Sequence, residues 1–341
     1  MFKVQANTLK NPKKNIFDRI EAMVYLKEEG SYDAVNALIK GFKKEIKSDV
    51  IRHEICYYIG QIGKNQENLE LIQTFFEEEV CKDHSQFVLH EIVESMGNIN
   101  NENLIKLLER FSDEKDSILY ESSYIAKKNI EWKKATQNGK TEGLDMTALK
   151  TQSQNPSPPY NYLVDTKYAD VSYLKQILLD NESFDLFDRY RALFTLRELE
   201  TEAAVEAMCQ ALTKETKRTC SDLLRHEIAF IIRQMKQSYK PAIPYFLECL
   251  NDQTEAPIVR HEILVTMGML VDDKNLVLPF LEDPDFIVAQ SCEIAVGLIG
   301  ERERSAQQSE SKSDEEIDEN YGEEDYGDDC QEDEEEQEEE E

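Results

Sequence analysis

Ile51-Arg52-His53-Glu54-Ile55-Cys56-Tyr57-Tyr58-Ile59-Gly60-Gln61 is the stretch on which the reading of the fold turns. Ile51, Ile55, Ile59 and Ile62 recur at helical spacing, so the segment is an amphipathic helix that carries an adjacent His-Glu pair. The same pair returns as His90-Glu91, His226-Glu227 and His261-Glu262, which takes four of the chain's five histidines. In a chain rich in glutamate one such pair would mean little, since a lone helical histidine is usually an ordinary core or surface residue. Four pairs in similar apolar surroundings read as one site made from four equivalent pieces.

The pairs fall into two kinds. His53 and His226 are followed by Ile at the second position, an aromatic at the fourth (Tyr57, Phe230) and Gln at the eighth (Gln61, Gln234). His90 and His261 instead share Ile92/Ile263 and the ending Met96-Gly97/Met267-Gly268. The first pair precedes the third by 173 residues and the second precedes the fourth by 171, and Phe17-Asp18-Arg19 is echoed by Phe187-Asp188-Arg189 at a shift of 170. The chain is a duplicated half.

Outward from these segments, apolar residues at helical spacing fill the chain from Phe17 to Trp132 and again from Val171 to Ile299, with breaks at Gly30 and Gly63, and nothing reads as a strand. Helices of about 10 to 15 residues with a unit recurring every 35 to 37 residues mark an α-solenoid of helix pairs. The His-Glu helices then occupy corresponding places and line one face. Between Lys133 and Asp165 the pattern fails in a stretch rich in Gln, Asn, Thr, Ser and Pro, including Asn155-Pro156-Ser157-Pro158-Pro159, which reads as a linker. The expected organisation is an N-terminal half over 1–132, a linker over 133–170, a C-terminal half over 171–300 and a tail over 301–341.

Composition narrows the function classes. Of the net charge of −31 across 341 residues, the span from Glu310 to Glu341 supplies −19, with 20 acidic residues against Lys312 alone. Such a tail cannot bury enough apolar surface to offset its ordering entropy, and it is expected to be disordered. The body, at −12, lacks the basic surface that nucleic acid would demand. No apolar run suits a signal peptide or a membrane span, and the seven scattered cysteines show no C-x-x-C pair, so a soluble cytoplasmic protein is expected.

Neutral imidazole with carboxylate suits iron, manganese or zinc, and two histidines plus one carboxylate per metal favours non-haem Fe(II) and O2 chemistry. Neighbouring helical residues point about 100° apart, so one helix cannot close such a site alone, but two helices can. His53-Glu54 with His90-Glu91 would hold one metal, and His226-Glu227 with His261-Glu262 the other, with the halves face to face and the two metals clamping one small ligand. The spacing is not H-E-x-x-H, so it does not read as a zinc protease. Cys56 reads as a buried structural thiol, Tyr124 and Trp132 as core, and His84, with no following Glu, as a surface residue.

These residues resemble the deoxyhypusine hydroxylase family, HEAT-like repeat enzymes marked by four His-Glu pairs in two halves around a di-iron centre. The likeness runs from Phe17 to about Ile299. It implies two Fe(2+) ions bound by His53, Glu54, His90, Glu91, His226, Glu227, His261 and Glu262, and O2-dependent hydroxylation of deoxyhypusine on eukaryotic translation factor 5A. Glu54 and Glu227 would either support the ligands or meet the substrate amine. The family tends to have Gly seven residues past each His, which returns to the same face and leaves room for an incoming side chain; Gly60, Gly97 and Gly268 keep it, whereas Arg233 does not. It also favours Glu four residues past the second and fourth His, kept as Glu94 and replaced by Val265. Glu94 and Gly60 are thus the expected substrate contacts. The competing classes are a non-enzymatic helical-repeat scaffold whose acidic tail binds basic partners, and a chromophore lyase of the related repeat type, which has no need of four His-Glu pairs.

Overall fold

The structure is a computed structural model that describes residues 1–63, 66–99, 101–113, 117–137, 149 and 155–320. Its helices come in pairs. In the first half these are α1 (Phe2–Leu9) with α2 (Ile16–Glu29), α3 (Tyr32–Lys44) with α4 (Asp49–Ile62), α5 (Leu69–Glu79) with α6 (Gln86–Asn98), and the short α7 (Ile105–Leu108) with α8 (Ile118–Gln137). The second half repeats the scheme with α9 (Val171–Leu179) and α10 (Leu186–Leu199), α11 (Glu202–Cys209) and α12 (Asp222–Ile232), α13 (Ile243–Asn251) and α14 (Pro257–Leu270), then α15 (Phe286–Asn320) after a short turn. Among the described residues there is no strand, so the all-helical solenoid expected from the periodicity is the fold.

Local chemistry sets the helix ends. Ser48, Asp185 and Ser221 cap α4, α10 and α12 by accepting from the backbone N–H three residues on, and Gly30 ends α2 in the left-handed conformation at φ 60°. The second helices of the pairs form an inner row, with α2 against α4, α4 against α6 and α6 against α8, then α10 against α12 and α12 against α14.

Two devices join the row. The first is a close approach at glycine. A Cβ on Gly60 would lie 2.3 Å from Ser95 Oγ on α6, one on Gly97 2.7 Å from the Ala126 backbone on α8, and one on Gly268 2.5 Å from the Ala295 backbone on α15. These glycines lie two helical turns past a histidine because that is where the next inner helix presses in. The second device is a buried arginine. Arg19, Arg189, Arg225 and Arg260 donate to the carbonyls of Leu9, Leu178, Ala211 and Leu250, the ends of the preceding outer helices, at 2.9, 2.8, 2.7 and 2.8 Å. Three of them also pair with buried or nearly buried carboxylates, Glu45, Glu255 and Asp283. Each arginine satisfies carbonyls that a helix end leaves open while locking a pair together.

The two halves touch at both ends. At one junction Tyr124 of α8 donates to Asp185 at 2.9 Å; at the other, Ser48 donates to Gln290 of α15 at 2.8 Å, and the side chain of Phe17 on α2 fills the space beside Gly297. The row of inner helices therefore closes on itself. Residues 155–160, the proline-bearing end of the expected linker, are buried against α10, where the Tyr160 backbone N–H donates to Thr195 at 2.8 Å and Arg191 lies 4.1 Å from the Tyr160 ring. Elsewhere in the expected linker α8 continues to Gln137 and a 3-10 turn spans Thr166–Ala169, while residues 138–148 and 150–154 lie outside the described residues. A compact unit spans Met1–Ile299 and a second unit begins at Gly300, where helix continues to Asn320. Of the tail over 301–341, expected to be disordered, residues up to Asn320 continue α15, and those beyond lie outside the described residues. Among the described residues no helix is long and apolar enough to cross a membrane.

Candidate metal centre

The four His-Glu pairs sit on α4, α6, α12 and α14, and all eight residues are interior, none more than 9% exposed. The imidazoles converge. His53 stacks on His90 at 5.0 Å between ring centroids, meets His261 edge-on at 5.1 Å, and His90 meets His226 at 5.4 Å. His53, His90 and His226 present ring nitrogens within 4.8 Å of one another, as do His53 and His261 with a Glu54 oxygen. Both triplets cross between the halves, whereas the sequence spacing suggested one cluster per half. Glu91 Oε2 lies 3.6 Å from His53 Nε2, Glu262 Oε2 3.6 Å from His226 Nε2, and Glu54 Oε1 3.5 Å from His261 Nε2.

Surrounding groups fix which nitrogen faces the centre. His90 Nδ1–H donates to the Phe87 carbonyl at 2.7 Å. Ser291 spends its hydroxyl proton on the Ile287 carbonyl at 2.6 Å, so at 2.7 Å it accepts from His261 Nδ1–H. In both rings this leaves the Nε2 lone pair turned inward, the orientation that metal-ligating histidines show. Burial also depresses the pKa of His53 and, more strongly, of His90, which keeps these imidazoles neutral.

The carboxylates divide by environment. For Glu54, burial acts to raise the pKa, but the imidazoles of His261 and His53 beside it outweigh this and hold the group well below the usual range. For Glu262, burial is likewise outweighed, by the Arg233 charge and by His226. Glu91 and Glu227 are pushed up by burial and then by the charge of Glu94, while Glu94 itself is raised to about 7 by burial and by Glu262. Five carboxylates, Glu54, Glu91, Glu94, Glu227 and Glu262, thus line one cavity with Arg233, Tyr57 and Phe230. The free space left in it is about 20 Å³, room for about one water molecule.

Not every sequence expectation has this geometry behind it. Glu94 lines the cavity and makes no hydrogen bond or ion pair among the described residues. Gly60 is buried and its missing side chain is replaced by Ser95, so it serves the α4–α6 contact rather than opening room for a substrate. Val265, 6% exposed, is a core residue. His84 is not the surface residue its isolation suggested: Arg52 lies 2.5 Å from its Nδ1 and Glu79 3.0 Å from its Nε2, and its side chain is only 7% exposed. Cys56 is a buried thiol with its pKa pushed up by burial, and Tyr124 and Trp132 pack half-buried on the core. The arginines adjoining the histidines went unread although the sequence displays them, as Arg-His-Glu at 52–54, 225–227 and 260–262. Arg225 and Arg260 anchor α12 and α14 one residue before the ligand-type histidine, and Arg52 braces α4 through His84.

Comparisons with known proteins agree with this architecture. The family model described as PBS lyase HEAT-like repeat matches residues 188–214, which covers nearly all of α10 and all of α11. The chain is 31% identical over 294 residues to a deoxyhypusine hydroxylase of Drosophila melanogaster, covering 85% of this chain and 88% of the relative, and 30% identical over 295 residues to that of Mus musculus, covering 85% and 89%. The solved structure of human deoxyhypusine hydroxylase in complex with glycerol superposes with a TM-score of 0.75 at 26% identity, covering 88% of this chain and 96% of that one. With four buried His-Glu pairs facing one another inside a closed row of helix pairs, and relatives matched over nearly their whole length, this chain belongs to the deoxyhypusine hydroxylase family.

Proposed function

We propose that this chain hydroxylates the deoxyhypusine side chain of eukaryotic translation factor 5A, with O2 as oxidant and two ferrous ions held by the His-Glu cluster. The observation that carries the reading is a set of buried, unpartnered nitrogens gathered in one cluster. His53 Nε2, His90 Nε2, both ring nitrogens of His226, His261 Nε2 and one oxygen of Glu227 have no hydrogen-bond partner. Leaving such a group unpaired costs about 1–3 kcal/mol each, and a helical-repeat scaffold would gain nothing in return. Cations at this point satisfy the nitrogens and offset the surplus of carboxylates. Neutral imidazole with carboxylate is the donor set that suits ferrous iron.

The four histidines with Glu54, Glu91, Glu227 and Glu262 would hold the metals. Ferrous iron in such a site supplies the electrons that activate O2 toward a C–H bond. The chain's own residues do the rest. The Phe87 carbonyl and Ser291 keep His90 and His261 in the tautomer that turns Nε2 inward. Tyr57 and Phe230, their rings 5.9 Å apart, wall the cavity with apolar faces suited to the methylenes of a long aliphatic amine. Glu94, free of ion pairs in the cavity wall, receives a substrate ammonium. Burial of the cluster keeps bulk water from the site. Six described cysteines are free thiols, which supports a reducing, cytoplasmic setting.

Iron content tests the reading. The purified chain is expected to carry about two irons and to convert the deoxyhypusine form of the factor, while His53→Ala and His261→Ala each lose iron and activity but keep their helical circular dichroism. A chain that holds no iron and takes up none anaerobically from Fe(II) removes the proposal.

A further inference from the structure

The duplication makes the two halves of the cavity comparable residue by residue, and they differ most at one position. Gly60 on α4 corresponds to Arg233 at the end of α12, each seven residues past its histidine. In the first half no side chain fits there, because a Cβ would meet Ser95 Oγ at 2.3 Å. In the second half Thr266 holds the equivalent place, donating to the Ala229 carbonyl at 3.0 Å as Ser95 does to that of Cys56 at 3.2 Å. Arg233 ends α12 in helical conformation, its N–H donating to the Ala229 carbonyl at 3.2 Å, whereas α4 continues to Ile62, nine residues past its histidine. Its side chain turns into the cavity. Its Nη1 lies 3.1 Å from Glu262 Oε1, its guanidinium carbon 4.5 Å from the centre of the Phe230 ring, and only 14% of the side chain is exposed.

The counterpart of Glu262 in the first half is Glu91, whose Oε1 has only the Ser95 hydroxyl at 3.3 Å where Glu262 has a cation. One half of the cavity therefore presents Glu94 without an ion pair, and the other has Val265 in that place and a carboxylate already paired with arginine. A cation in a partly buried groove needs a carboxylate that is still available.

We propose that Arg233 is a specificity-determining residue: its guanidinium occupies the place in the second half of the cavity that a substrate ammonium would otherwise take, so that a polyamine-like side chain enters in one direction only, toward Glu94. This rests on the reading of the cavity as an amine site, and deepens it. Arg233 does to the second half what the substrate does to the first. It also fills the volume, since the cavity that remains holds about one water.

The test is calorimetric titration of the iron-loaded full chain with 1,4-diaminobutane, a flexible dication, with iron measured in every variant. The wild type is expected to bind one diamine per chain. Arg233→Gly, which restores the residue of the other half, is expected to bind two, and Arg233→Met, which keeps the stem on Phe230 and removes the charge, gives the same count if the glycine variant folds poorly. Arg233→Lys, retaining a cation, is expected to bind one. A count of one in both the Gly and Met variants overturns the proposal, as does a loss of iron without a gain of diamine, which would make Arg233 only a support for Glu262. Glu94→Gln separates the two readings. If it leaves wild-type binding intact, the assignment of Glu94 fails, while a rise from one to two on neutralising Arg233 still stands.

Discussion

Glu94 and Val265 occupy equivalent places, four residues past His90 and His261, yet their settings have diverged. Glu94 faces the cavity with no ion pair, and Val265 is packed in the core. A buried ammonium held by a carboxylate forms a charge-assisted bond of about 1.5–3 kcal/mol, so Glu94→Gln should raise KM by roughly 10- to 100-fold while both irons remain. Steady-state kinetics with iron analysis checks this, and an unchanged KM takes Glu94 out of the site. The arrival of a carboxylate at 265 would not restore symmetry, because that position lies in the core and a charge there has no partner. At this scale the sequence was misleading about His84 and Gly60. Neither isolation in sequence nor helical spacing reports that Arg52 and Glu79 close around His84, or that Ser95 fills the place of the Gly60 side chain.

At the scale of the element, the buried arginines decide how each inner helix is seated on the outer helix before it. Arg19 donates to the Leu9 carbonyl and pairs with Glu45, which also accepts from the backbone N–H of Lys47 at 2.8 Å and of Ser48 at 3.1 Å. Burial acts to raise the Glu45 pKa, but Arg19 and these two N–H groups outweigh it and bring the pKa below its ordinary value. The unfolded chain then binds a proton more readily than the folded one, so this contribution is present above the ordinary carboxylate value of about 4.3 and is lost as pH falls through the lower folded value. Urea midpoints measured from pH 6 down to pH 3 should fall, and Glu45→Gln should fall less steeply from a starting stability about 3 kcal/mol lower, the cost of leaving Arg19 buried without its charge partner. Equal slopes in the two proteins would show that Glu45 does not carry the effect. The pattern was legible as Arg-His-Glu three times and Asp-Arg twice, but its meaning needed the carbonyls of the preceding helix, which sequence spacing does not display.

For the whole molecule the controlling feature is closure. Phe17 of α2 fills the space beside Gly297 of α15, where a Cβ would come within 2.2 Å of the ring, and Ser291 of the same helix holds His261 at 2.7 Å. Alanine for glycine within a helix normally stabilises, by about 0.5–1 kcal/mol. Here Gly297→Ala is expected to destabilise by about 1–3 kcal/mol through overpacking, and to weaken iron retention by shifting Ser291. Pairing it with Phe17→Ala should recover part of the loss, as residues in contact do in a double-mutant cycle followed by urea midpoint. A stabilised Gly297→Ala protein would show that the junction yields without strain.

The sequence by itself determined the all-helical repeat, its duplication, the four His-Glu helices and the two positions, 233 and 265, where the halves part. Those follow from the period of apolar residues and from residue type, which are local properties of a chain. Tertiary structure alone decided that His53 joins His90 and His226 in one triplet and His261 in another, because the distance across the closed row of inner helices depends on how glycines and buried arginines seat each helix on the next. It also decided that Arg233 points inward rather than to solvent, because Glu262 and the face of the Phe230 ring receive its guanidinium there.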